Sequence, residues 1–112
     1  MPGPGLDDCN RLDMMIGEKV RRELWISWAS MLRSYAAAHG LNSGRFAVIE
    51  FGEDLIVVRV DAKWARFTHS GMEASSGSRV SFGLNEDGTV MLDGKMDEMD
   101  FAAERVTREL MA

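Results

Sequence analysis

The chain has 112 residues, 46% of them hydrophobic, and a net charge of −5. That length fits one domain, and that apolar content fits a packed core and excludes a disordered chain. The acidic balance argues against a duplex DNA or anionic membrane binder, which is normally basic.

The single cysteine, Cys9, cannot make an internal disulfide, so a reducing, cytoplasmic setting is expected. No run of apolar residues is long enough to span a bilayer. Residues 1–7 open with a Pro/Gly-rich stretch, Met1 to Gly5, that lacks the basic and apolar parts of a signal peptide. They are expected to be a disordered leader, with residues 8–112 forming one α+β domain.

From about Asp8 to His39 the pattern is that of a long amphipathic helix. Ile16, Val20, Leu24, Trp28, Met31, Leu32 and Tyr35 recur at steps of three and four, which keeps them on one side. Trp25, Ala29 and Ala36 widen that stripe on one flank. Gly40 is the expected stop, because glycine enters the left-handed conformation freely. Gly17 costs roughly 1 kcal/mol against alanine, which predicts a kink or an early helix end there. From Gly17 to His39 the helix measures roughly 35 Å, at ~1.5 Å per residue. A strand of ordinary length spans about 20 Å. The helix is therefore expected to overhang the sheet, and Met14, Met15 and Ile16 on the overhang need a cover.

Leu41 to Gly44 reads as a connector. Arg45 to Phe51 reads as a strand, with Phe46 and Val48 facing one way and Ala47, Ile49 and Phe51 the other. Gly52-Glu53-Asp54 is a tight turn, and Leu55 to Val60 is a mostly β-branched strand with Arg59 and Asp61 on one face and Ile56, Val58 and Val60 on the other. Asp61 to Lys63 is either a turn or a continuation. Trp64 to His69 is a third strand, which puts Trp64 and Phe67 on opposite faces. Ser70 to Ser78, with Gly71 and Gly77, reads as a loop. Val80, Phe82 and Leu84 mark the inward face of a fourth strand. Asn85 to Gly88 is a hairpin turn, and Thr89 to Asp93 returns with Val90 and Leu92 inward. Gly94 and Lys95 end that strand. Asp97 reads as the N-cap of a last helix running to about Leu110, with a stripe of Met99, Ala102, Ala103, Val106 and Leu110. The whole predicts α+β: a long helix, an antiparallel meander of four or five strands, and a C-terminal helix, with both helices on one sheet face.

The catalytic inventory is empty. His39, His69 and Cys9 have no metal-ligand spacing. No nucleophile elbow or phosphate loop occurs. The acids sit mostly at turns and a helix start. Glu50, inside a strand, is the exception, and it is expected to pair with Arg59 or Arg66 across the sheet. No cofactor is expected and no enzyme is read.

Two surfaces are candidates for binding. Nine methionines are many for this length, and methionine suits adaptable contacts. Met14, Met15, Ile16, Met99 and Met111 therefore form a candidate interface with a second copy or another protein. Arg59, Lys63, Trp64, Arg66, Phe67 and Arg79 form a candidate sheet-face site, the composition of a single-stranded nucleic-acid platform, although the acidic net charge disfavours that use. A small-molecule pocket walled by Trp25, Trp28 and either Trp64 or Phe67 is a further option. A small acidic α+β domain with terminal helices resembles the bacterial secretion chaperones in architecture. No residue motif carries that likeness, so no site is taken over from it. The resulting expectation is a non-enzymatic, chaperone- or adaptor-like module, homodimeric through its overlong helix.

Overall fold

A computed structural model describes the backbone from Pro4 to Ala112, and the side chains of residues 17–41 and 44–112. The elements run α1 (Pro4–Ser43), β1 (Ala47–Phe51), β2 (Ile56–Val60), β3 (Lys63–Phe67), β4 (Gly71–Ala74), β5 (Arg79–Leu84), β6 (Thr89–Leu92), β7 (Lys95–Glu98) and α2 (Met99–Met111). The seven strands form one antiparallel meander in sequence order. The architecture is thus the expected one, with seven strands in place of four or five.

Helix α1 is a single element of 40 residues. It starts at Pro4, inside the stretch expected to be a leader, and passes through Gly17 without a break. A Cβ at Gly17 would meet nothing, so this glycine is not required by packing. Its cost of roughly 1 kcal/mol is spread over a long run of good helix formers. Gly40 does not end the helix either. A Cβ there would come 2.7 Å from the Arg45 carbonyl oxygen, so Gly40 is needed where α1 and the start of β1 approach closely. The left-handed stop is Gly44, at φ +70°, whose N–H donates to the Gly40 carbonyl at 2.9 Å.

The two strands missing from the sequence reading have different origins. β4 occupies the Ser/Gly-rich segment. Met72 pairs with Phe67 and Val80, while Glu73 pairs with Arg66 and Arg79, so its neighbours make it a strand. β7 exists because Asp93 and Gly94 both hold positive φ, 55° and 77°, and close a two-residue hairpin with Leu92 opposite Lys95. Asp97 is therefore a strand residue. The N-cap of α2 is Glu98, and Asp97 accepts from Arg105 Nη1 at 2.9 Å. Asp61-Ala62 forms the β2–β3 turn, which settles the ambiguous Asp61–Lys63 segment.

Both helices lie on one face of the sheet. Trp25, Trp28, Ala29, Leu32 and Ala36 of α1 are buried with Ile56, Val58, Val60, Ala65 and Phe67 of the sheet. Trp25 and Ala29, expected on a flank, are thus part of the buried centre. The rings of Trp28, Phe67 and Phe82 stand 5.1–5.3 Å apart in tilted and edge-on arrangements that suit their quadrupoles. Trp28 Nε1 is buried with no hydrogen-bond partner among the described residues. That omission costs about 1–3 kcal/mol, against the large apolar area the indole buries. All five expected stripe residues of α2 are buried.

The molecule measures 66 × 25 × 22 Å. The long dimension belongs to α1, which at ~1.5 Å per residue is roughly 60 Å from end to end. Among the described residues, Leu24 is the first apolar side chain of α1 that packs against the core. The helix therefore projects well past the sheet. Among the described residues, no helix is long and apolar enough to cross a membrane.

Candidate functional site

Strand alternation sorts the sequence-derived residues onto two faces. Arg59, Trp64, Arg66 and Arg79 share the outer face, away from the helices, with Val48, Glu50 and Glu73. Lys63 does not join them. Its parity turns it to the helix side, where Nζ donates to the Ala112 carbonyl at 3.3 Å. Phe67 is fully buried between Trp28 and Phe82. The outer face thus displays a single aromatic ring from the candidate set.

The arginines on that face are engaged in ion pairs. Arg66 reaches Glu73 at 2.9 Å, Arg79 reaches the other oxygen of Glu73 at 3.6 Å, and Arg59 reaches Glu50 at 3.6 Å. The Glu50–Arg59 pair is one of the two expected from sequence. Arg66 also lies over the Trp64 ring, 5.2 Å from its centroid. Val57 is only 6% exposed although it points outward. Its cross-strand neighbours are Glu50 and Arg66, and their apolar stems shield it. The face is a closed charge ladder, a poor match to a phosphate-tracking groove that needs unpaired cations.

The methionine set divides as well. Met99 and Met111 are 4% and 6% exposed and belong to the core, so they offer no surface to a partner. The side chains of Met14, Met15 and Ile16 lie outside the described residues. The exposed large apolar groups are instead Leu41, Phe46, Val48, Phe51, Met96 and Phe101, among others. Phe46, Val48 and Phe51 fall together on and beside β1. Composition had pointed to methionine. The signal that finds this cluster is the run Phe46–Phe51, four of six residues large and apolar on a terminal strand.

A cleft of about 620 Å³ opens between α1 and the turns that join β1 to β2 and β3 to β4. Arg21, Arg22, Trp25, Phe51, His69 and Leu84 contribute to its walls. Trp25 Nε1–H donates to the Gly52 carbonyl at 2.8 Å, which fixes the indole. His69 stacks on that indole with centroids 4.2 Å apart. Its Nε2 is 2.7 Å from the Glu53 carbonyl, which can only accept, so Nε2 carries the proton. Of the walls expected from sequence, Trp25 is present. Trp28 and Phe67 close the core behind it, and Trp64 is on the far face. A second groove, of about 700 Å³, runs between the C-terminal half of α1 and β1, past Arg33, Ala37, Leu41 and Phe46.

His39 pairs with Glu104 of α2 at 3.4 Å and so ties the helices together. Among the described residues no three His, Cys, Asp or Glu side chains converge as a metal site. Asp87, in the β5–β6 turn, accepts from the Thr89 hydroxyl at 2.6 Å and the Thr89 N–H at 3.0 Å. The hydroxyl bond first, then the backbone bond, holds its carboxyl below the ordinary 3.8. This is turn chemistry on an exposed loop.

No family model, no curated protein and no solved structure matches this chain. The residues and their geometry carry the functional reading alone.

Proposed function

We propose that this protein is a non-enzymatic interaction module that works as a homodimer, adaptor-like in that its exposed surfaces recognise other proteins. The observation that carries the reading is α1: 40 unbroken residues on a body only 25 × 22 Å across. A rod that overshoots its own sheet is economical only if another chain lies against it. The bare apolar residues around β1 add to that. Light scattering tests the reading. At about 50 µM, far above the dissociation constant of a typical obligate pair, the expected mass is twice 12.5 kDa. A strict monomer removes it.

A second reading, small-molecule binding, is favoured by the cleft beside Trp25. An indole fixed by a hydrogen bond and a stacked imidazole suit a planar aromatic molecule, and Arg21 and Arg22, which share the lining with Glu18, Glu53 and Asp54, could pair with a carboxylate on it. A thermal-shift screen of aromatic carboxylates tests it. Stabilisation that disappears in His69→Ala, whose side chain is half exposed, supports it, and a flat screen rejects it.

A further inference from the structure

Strand β1 begins the sheet, so among the described residues one of its sides has no strand beside it. Which residues face that side follows from the hairpin. The Gly52 N–H donates to the Leu55 carbonyl at 2.8 Å, and Glu50 and Val48 lie opposite Val57 and Arg59. Antiparallel pairs alternate, so Gly52, Glu50 and Val48 bond inward to β2. Ala47, Ile49 and Phe51 therefore turn their N–H and C=O groups to the open side. The flanks are apolar: Phe46 is 85% exposed, Val48 58% and Phe51 44%. Open edges of this kind are templates for another strand.

The geometry points to a second copy of this chain as that strand, joined β1 to β1 about a two-fold axis at Ile49. This rests on the self-association proposed above and adds its surface. The reason for a copy rather than a foreign peptide is that β1 complements itself. With Ile49 opposite Ile49 of the second copy, Ala47 meets Phe51, a small side chain against a large one. Just beyond the paired residues, Phe46 comes level with Gly52 of the second copy. Val48 meets Glu50, so no like charges face each other, and Arg45 comes level with Glu53. Sliding the register to centre on Glu50 sets two carboxylates opposite each other. Sliding it toward Ala47 leaves Phe51 unpaired. The Ile49 register pairs all five strand residues and forms about six main-chain hydrogen bonds.

Five residues of strand bury less than the roughly 1,200 Å² of a stable interface. The two-fold axis stands normal to the sheet, so it keeps both helical layers on one side. α1 of each copy lies over β1, and the joint sets the two rods next to each other, which supplies further area. The result is one continuous fourteen-stranded sheet, twice the seven of each chain.

Amide exchange followed by NMR on the full chain, at about 5 µM and about 300 µM, tests this. Expected at high concentration is slow exchange at Ala47, Ile49 and Phe51, matching Val48 and Glu50. At low concentration the two sets should separate, with the outward three fast. Ile49→Pro should raise the dimer dissociation constant at least about a hundredfold, because proline lacks the donor and its ring obstructs the joint. Within the dilute chain the variant should keep every β1–β2 hydrogen bond, since that N–H bonds to nothing there, and its melting should fall only by the packing Ile49 loses against the core. A dimer whose outward amides stay fast overturns the β1 joint but leaves self-association standing. A monomer at both concentrations overturns both. Protection that appears only when an unrelated extended peptide is added assigns the edge to a foreign strand and also overturns the proposal. Should the proline variant fail to fold, the wild-type exchange pattern alone decides.

Discussion

The sheet has two edges, and they are built on opposite principles. β7 reads Lys95-Met96-Asp97-Glu98, short and charged, and it runs straight into α2. Charge and brevity are how an edge refuses company. β1 reads Ala47-Val48-Ile49-Glu50-Phe51, preceded by Phe46, with one charge that is already matched by Arg59. The same chain thus guards one end of its meander and leaves the other bare. A protein that could not protect its edges would leave both exposed. One guarded edge beside one open edge is the asymmetry that the proposed β1 joint would use.

That contrast can be broken at several points, and the largest effect is expected where β7 hands over to α2. Met99→Ala should destabilise the fold by about 2–5 kcal/mol in urea titrations, because the side chain is buried in the core. Met96→Ala, three residues earlier and exposed, should stay within about 0.5 kcal/mol. Equal effects would mean that β7 is not anchored as described. Next comes the turn that makes β7 a strand. Gly94→Val forces a β-branched residue to φ +77° and should cost about 1–2 kcal/mol, read as a lower melting temperature with association unchanged. At the open edge the outcome reverses. Phe46→Ser should leave the dilute chain's melting where it was, since the ring is in water, yet weaken the mass-concentration signature of pairing in sedimentation.

The smallest effect lies in the β5–β6 turn, remote from either edge. The Asp87 carboxyl is held below its ordinary value by the Thr89 hydroxyl, so it adds stability at pH above about 3.8. That contribution is lost as pH falls through the lowered folded value. Asp87→Ala should therefore reduce the urea midpoint at pH 6, and the gap to the wild type should shrink as the pH is taken below 3.8. A gap that persists in acid would assign the loss to something other than the carboxylate.

Periodicity located both helices, separated the two faces of each strand it recognised, and named the inward one for Val80–Leu84 and Val90–Leu92, because a core that excludes water imposes its spacing on the sequence. What it missed was decided by pairing rather than burial. Gly71 to Ala74 is strand because Phe67, Val80, Arg66 and Arg79 supply matching partners on both sides. Asp93-Gly94 is among the strongest hairpin dipeptides, yet the polar run after it resembled a helix start more than a strand. Gly40 misled for a related reason. Its missing side chain serves a close backbone approach that only the folded chain reveals. The candidate site was legible in part. Alternation assigned Trp64 and Phe67 to different faces correctly, and methionine content pointed to Met99 and Met111, which packing places in the core.

The meander's strict neighbour-to-neighbour order has a kinetic consequence. Each strand finds its mate a few residues away, so six small ring closures zip up the whole β-layer, and such local closures are fast. The meeting of α1 with α2 bridges the greatest separation along the chain. The rate-determining barrier to acquiring the native state should therefore sit at that final clasp, and pulse-labelled refolding would reveal hairpin amides shielded well before those of Ala102 and Ala103.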